Sequence, residues 1–360
     1  MTLHQPHFAL RAARRFGISV AAISACAIAR PEPDIIQEGE PASRPMYEDA
    51  ISRVATIQSA ESSVVVRGLG SILMTHGRRT PRTYVLLHGF SDVPTQFQIV
   101  GEQLFATGDN VYIPRLPHHG EREGPVRALG RVRALELAAF GDSAVEIARG
   151  LGDSVIVVGL SAGGAITGAI AQHREVRRAV LIAPAIAPGD MADEDAERAL
   201  LAIATRLPEY TRKNAPIDST HPDYIQGISS RGLAEVLGLG RRVRDDASKR
   251  APATKDIAFL LNERDATVSE PASVDLAQRW HEHGATVTIY RFSSSAKLPH
   301  NIMEIDARGG NVAVAFPVVE ALARSMDPPR TVSIDSLDCN GWRCALKRAF
   351  RPDAGDSPSR

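Results

Sequence analysis

The sequence has no surplus of either charge, few aromatics (5%), only three cysteines in 360 residues, and no internal repeat. Its 42 Lys and Arg balance 42 Asp and Glu, which excludes the global positive field that draws a protein onto nucleic acid. The one dense basic cluster, Arg241, Arg242 and Arg244, runs directly into Asp245 and Asp246 and reads as solvated surface. Three cysteines exclude a disulfide-built scaffold, and nothing in their spacing argues for zinc, while His118 and His119 with Glu121 and Glu123 leave a metal site as an alternative to the reading of no metal. What is present is 44% hydrophobic residues, enough at this length to bury one large core or two modest ones.

The amino end differs from the rest. Arg11, Arg14 and Arg15 precede the uncharged run FGISVAAISA (16–25), which ends at Cys26. A basic segment followed by a short apolar one of ~7–15 residues has the shape of an export signal, and it falls short of the ~20 residues that anchor a helix in a bilayer. Residues 1–29 are therefore expected to be a signal peptide. Ile23-Ser24-Ala25-Cys26 resembles a lipobox, which makes Cys26 a candidate for lipidation and the membrane a candidate partner. Cleavage after Ala27-Ile28-Ala29, or an amphipathic helix in a cytoplasmic protein, are the alternatives. An exported location would allow Cys339 and Cys344, flanking the turn dipeptide Asn340-Gly341, to close a small disulfide; two free thiols are the alternative.

Residues 30–60, with Pro31, Pro33, Pro41 and Pro45 among scattered acids, read as a linker. From 61 the character changes. SSVVVRG and SILMTHG suggest an opening hairpin. Strand-like runs then recur at 83–89, 110–115, 154–160, 179–185, 256–262 and 285–290, with helix-period stretches at 94–108, 126–152, 162–173 and 270–283 between them. Strands apolar on both faces and alternating with helices predict an α/β fold, a mostly parallel sheet covered on both sides. Residues 187–252 carry no convincing strand and are expected to form a helical cap inserted in a domain spanning 61–327. The Pro-rich, charged segment 328–360 is expected to be an appendage, partly disordered.

The chemistry concentrates in GLSAGG (159–164), which sits between the strand SVIVV and the helix AITGAIAQH. A serine hydroxyl is a weak nucleophile that must be exposed, placed near a base and faced by oxyanion donors. A sharp strand-to-helix turn does this for Ser161 and requires small neighbours, here Gly159 and Gly163. No Lys follows the glycines, so a phosphate loop is excluded. The oxyanion donors would be the backbone N–H groups of Ala162 and of Phe90, which follows the strand ending at His88-Gly89. His88 is a rival base, more naturally a brace for its loop. Asp265 follows the strand DIAFLLN, with Glu263 as a rival acid, and His300 follows the strand ATVTIY. His281 and His283 lie within a helix and read as surface groups.

LLHGF, GLSAGG, ERDATV and LPHNI, in that order, resemble the α/β-hydrolase family, especially bacterial carboxylesterases and monoacylglycerol-lipase-like enzymes. The likeness covers residues 80–325, and PRLPHHG (114–120) is similar to the family's P-x-L-P-G-H-G segment. Leu160 and Ala162 depart from the His and Met that flank the nucleophile in monoacylglycerol lipases, and His118 replaces a glycine. The resemblance implies ester hydrolysis by a Ser161–His300–Asp265 triad without a cofactor, on a small-molecule ester carrying an apolar acyl group. A thioesterase or amidase, or a silent envelope-anchored binding protein, are the alternatives.

Overall fold

The computed structural model describes residues 46–189, 194–205, 211–212, 227–303, 310–326, 334–338 and 345–348. The signal segment, Cys26, Cys339 and Cys344 lie outside them. The described chain begins with α1 (Tyr47–Val64), β1 (Ile72–Met74) and β2 (Thr80–Leu87). A 3-10 turn at Pro94–Phe97 leads into α2 (Gln98–Ala106), followed by β3 (Asn110–Ile113), α3 (Pro125–Leu129) and α4 (Ala134–Leu151). Next come β4 (Gly152–Leu160), α5 (Ala162–His173), β5 (Arg178–Ile182) and α6 (Glu194–Ala204). The short β6 (Thr211–Arg212) and β7 (Ile228–Ser229) precede α7 (Ser230–Ala247), β8 (Asp256–Asn262), α8 (Glu270–Glu282) and β9 (Thr286–Phe292). The last elements are α9 (Gly310–Ala323), β10 (Ile334–Asp338) and β11 (Ala345–Arg348).

One sheet runs β1-β3-β2-β4-β5-β8-β9-β10-β11, parallel from β3 to β9 and antiparallel at both edges. Val157 pairs with Val85 on one side and Ala179 on the other, so β4 is an interior strand. Val157, Val158, Val180, Leu181 and Phe259 are fully buried. The α2 and α9 helices lie against each other on one face; α4, α5, α7 and α8 pack in succession on the other. Burial on both faces is why these strands read as continuous apolar runs, each such side chain contributing ~1.5–3 kcal/mol. Parallel strands joined by crossovers place their carboxyl ends at one rim, and the loops gathered there can share a site.

Five expectations need correction. Residues 47–60, read as linker, and 62–64, read as a hairpin arm, together form α1. It packs on α4 and buries Ala50, Val54 and Glu61, while Val65, just beyond its end, stays extended. β1 is paired with β3 rather than with a hairpin partner. The stretch 126–152 breaks at Gly130 into α3 and α4. Within the cap expected over 187–252, α7 packs on α5 and α4, with Val243 beside Gly168 of α5, so it belongs to the helical layer of the sheet. Beyond residue 328, β10 and β11 extend the sheet.

Candidate active site

The turn between β4 and α5 is fixed by close approach. A Cβ on Gly159 would lie 2.2 Å from the Gly163 carbonyl oxygen, and one on Gly163 would lie 2.0 Å from that of Leu87. Both positions therefore exclude a side chain, and the strand and helix can meet this closely only because there is none. Between them Ser161 takes φ 54° and ψ −109°, a conformation that costs a non-glycine residue ~1–3 kcal/mol. Its backbone is pinned on both sides. The N–H donates to the Ile182 carbonyl at 2.9 Å, and the carbonyl accepts from Ala165 and Ala185, each at 2.9 Å. The strain persists because these bonds over-determine the turn, and they project the hydroxyl off the end of the sheet.

A hydrogen-bonded line runs from that hydroxyl. His300 Nε2 lies 2.9 Å from Ser161 Oγ, and His300 Nδ1 lies 2.6 Å from Asp265 Oδ2. The other carboxylate oxygen of Asp265 accepts the N–H groups of Thr267 (2.8 Å) and Val268 (3.3 Å). The carboxylate is thus oriented by its own loop, and its side chain is only 3% exposed. A carboxylate accepts at Nδ1, which makes that nitrogen the proton carrier and leaves Nε2 free to accept the serine proton. The three residues come from the carboxyl ends of β4, β8 and β9.

The loop after β2 closes the other side. Gly163 donates its N–H to the His88 carbonyl at 3.1 Å, drawing the loop against the first turn of α5. His88 is fully buried, and its Nε2 accepts the Leu116 N–H at 3.0 Å, so its Nδ1 carries the proton and donates to the Gly89 carbonyl at 2.9 Å. Burial, then the neighbouring His119 and Arg115, hold this imidazole well below the usual histidine range, so it stays neutral. The Gly89–Phe90 peptide is planar, so pinning its carbonyl aims the Phe90 N–H the opposite way. Neither that N–H nor the N–H of Ala162 meets an acceptor among the described residues.

A model of the α/β hydrolase family matches residues 84–344, most of the chain. The chain belongs to the α/β hydrolase family. Among solved structures, the hydrolase fold here is similar to the monoacylglycerol lipase of Paleococcus ferrophilus, with TM-score 0.51 and 20% identity over 71% of this chain and 98% of that one. It is likewise similar to a soluble variant of monoglyceride lipase from Saccharomyces cerevisiae in complex with a substrate analog, with TM-score 0.52 and 12% identity over 71% and 91%. No curated protein matches the sequence.

Within this hydrolase-family chain the rival residues fall elsewhere. Glu263 accepts the Ser294 N–H at 2.7 Å, a bond that holds its carboxyl below the usual range, and it does not reach His300. His281 lies 3.3 Å from the Ala285 carbonyl at the end of α8. His118 pairs with Glu121 and Glu136, while His119 turns inward onto the Pro117 carbonyl at 2.8 Å. Among the described residues no three His, Cys, Asp or Glu side chains form a metal-binding group, and no helix is long and apolar enough to cross a membrane. Sequence reasoning missed Gln96, Arg115 and Asn301. Gln96 Oε1 accepts the Gly89 N–H at 2.8 Å, and its Nε2 donates to Asn301 Oδ1 at 3.0 Å. Arg115 bonds the His119 carbonyl at 2.8 Å and the buried Glu61 at 3.0 Å, stiffening the loop that holds His88. Arg115 and Asn301 stand inside PRLPHHG and LPHNI, which is their only sequence signal, and Gln96 has none.

Proposed function

We propose that the protein hydrolyses carboxylic esters through an acyl-enzyme on Ser161. The observation that carries this reading is the Ser161–His300–Asp265 line, with its 2.9 Å and 2.6 Å bonds, beside two N–H groups that meet no acceptor among the described residues. Ser161 Oγ attacks the ester carbonyl while His300 Nε2 takes its proton, and Asp265 holds the imidazole and stabilises its cation. The oxyanion that forms accepts the N–H groups of Phe90 and Ala162, each donor worth ~3 kcal/mol. His300 returns the proton to the departing alcohol. It then takes one from water as that water attacks the acyl carbon, and passes it to Ser161 Oγ as the acyl–serine bond breaks and the acid departs. The substrate class we favour is a small ester with an apolar acyl group, over the corresponding thioester or amide.

Labelling with a fluorophosphonate tests the reading. The native protein should label at Ser161 and the Ser161→Ala variant should not; equal labelling of both, or of neither, sinks it. Ranking kcat/KM for matched p-nitrophenyl ester, thioester and anilide then decides the acyl-transfer class. Export with lipidation at Cys26 belongs to the same reading, and Cys26→Ser should leave the membrane fraction.

A further inference from the structure

We infer that Gln96 and Asn301 form a two-residue strut that keeps the general base in register with the oxyanion donors, making both positioning residues for the reaction; this rests on the acyl-enzyme reading above. Gly89 has two soft backbone torsions, and the peptide planes on both sides of its Cα must be held if the Phe90 N–H is to keep its aim. His88 holds the downstream plane through the Gly89 carbonyl. Gln96 holds the upstream plane by accepting the Gly89 N–H at 2.8 Å. The same amide reaches across with its nitrogen to Asn301 Oδ1 at 3.0 Å, and Asn301 Nδ2 extends to Asp92 Oδ2 at 3.4 Å. Gln96 is therefore bonded at one end to the residue before Phe90 and at the other to the residue after His300.

The geometry gives this bridge a specific task. His300 sits in a loop after β9, and Phe90 sits in a loop after β2, four strands away in the sheet order. Nothing in the sheet itself fixes the distance between the tips of these loops. Proton transfer at Nε2 and charge development at the oxyanion occur in one transition state, so a drift of either loop separates two groups that must act together. A side-chain amide with one acceptor and one donor end can lock both loops at once. Each amide is also fixed in orientation, since Gln96 must present oxygen to Gly89 and nitrogen to Asn301.

The test uses the full-length protein with Gln96→Ala, the volume-keeping Gln96→Met, Asn301→Ala, and the double Gln96→Ala/Asn301→Ala. Active sites are counted with fluorophosphonate, turnover is measured on p-nitrophenyl butyrate, and inhibition is measured with phenylboronic acid, whose serine adduct mimics the tetrahedral intermediate. Each single variant should lose about tenfold in kcat per titrated site with KM little changed. The boronate inhibition constant should rise in the same proportion, and the double variant should be no worse than the poorer single. Three results overturn the strut: rates within twofold of the native enzyme, a double variant equal to the product of the singles, or a loss explained by fewer titrated sites at unchanged boronate affinity. An unlabelled native protein would instead remove the acyl-enzyme reading, and the strut with it.

Discussion

The turn after β4 and the loop after β2 touch at Gly163, yet they are held in opposite ways. The turn is fixed by backbone alone: three backbone bonds to Ser161 and two positions where a Cβ would collide with a carbonyl. The loop is fixed by its own side chains, which reach partners far along the chain. His88 clamps it to residue 116, Gln96 ties it to residue 301, and the Ser91 hydroxyl donates to the Gly227 carbonyl at 3.0 Å. The lesson is that a strained serine turn can be specified within six residues, whereas the loop facing it depends on the whole tertiary fold.

Substitutions can break this contrast. The largest effects belong to the line that starts at the turn: Ser161→Ala and Asp265→Asn should each lower kcat by at least ~10⁴-fold in steady-state assays, with the fold intact by circular dichroism. Gly163→Ala should act on folding instead. Its Cβ has no room beside Leu87, and the thermal midpoint should report a loss of ~3 kcal/mol or more; a stable, active Gly163→Ala protein would show that the turn tolerates the approach. On the loop side, His88→Leu leaves the Leu116 N–H without its acceptor and the Gly89 carbonyl with only the Asp92 N–H at 3.2 Å. It should lower kcat roughly 100-fold and stability by ~2 kcal/mol, the two measured separately by turnover and urea unfolding.

The contrast also has a pH signature. His88 and His119 are both fully buried, and burial lowers His119 to about 4 and His88 well below its usual value. Both are neutral in the folded protein, while the unfolded chain takes up protons as pH falls through ~6.5. A lowered histidine pKa therefore leaves stability complete above ~6.5 and lost as pH drops toward 4, by ~1.4 kcal/mol per unit for each imidazole. Urea unfolding at pH 7 and pH 5 should show this slope, and His119→Phe should roughly halve it. The smallest effect sharpens the comparison: Glu263→Gln should leave kcat/KM within about twofold, because Glu263 is bonded to Ser294 rather than to His300.

The same contrast explains what could be read from the sequence. GLSAGG, Asp265 and His300 were legible because each follows an apolar strand, and the strand end itself supplies the placement. The parallel core was legible for the same reason, since burial on both faces leaves an unbroken apolar run. Gln96 and Asn301 were not, because an amide pair has no periodicity and acquires meaning only when β2 and β9 are brought to one rim. Residues 47–64 were misread because the helix there owes its place to α4 and to the bonds of Glu61, neither of which its own composition announces. The role of α7 was hidden likewise: its buried positions serve a neighbour, α5, that local pattern does not name.

Glu61 has a practical consequence for anyone trimming the protein. Its carboxylate accepts from the Ser71 N–H, the Ser71 hydroxyl and Arg115 Nε within 3.0 Å, and both charged side chains are largely buried. A protease working inward from the amino end would first forfeit the modest apolar contacts of Ala50 and Val54. Once it passed residue 61, a guanidinium would be stranded without its counter-ion, a loss of ~3–5 kcal/mol. The shortest durable version of the enzyme should therefore start well upstream of its first strand.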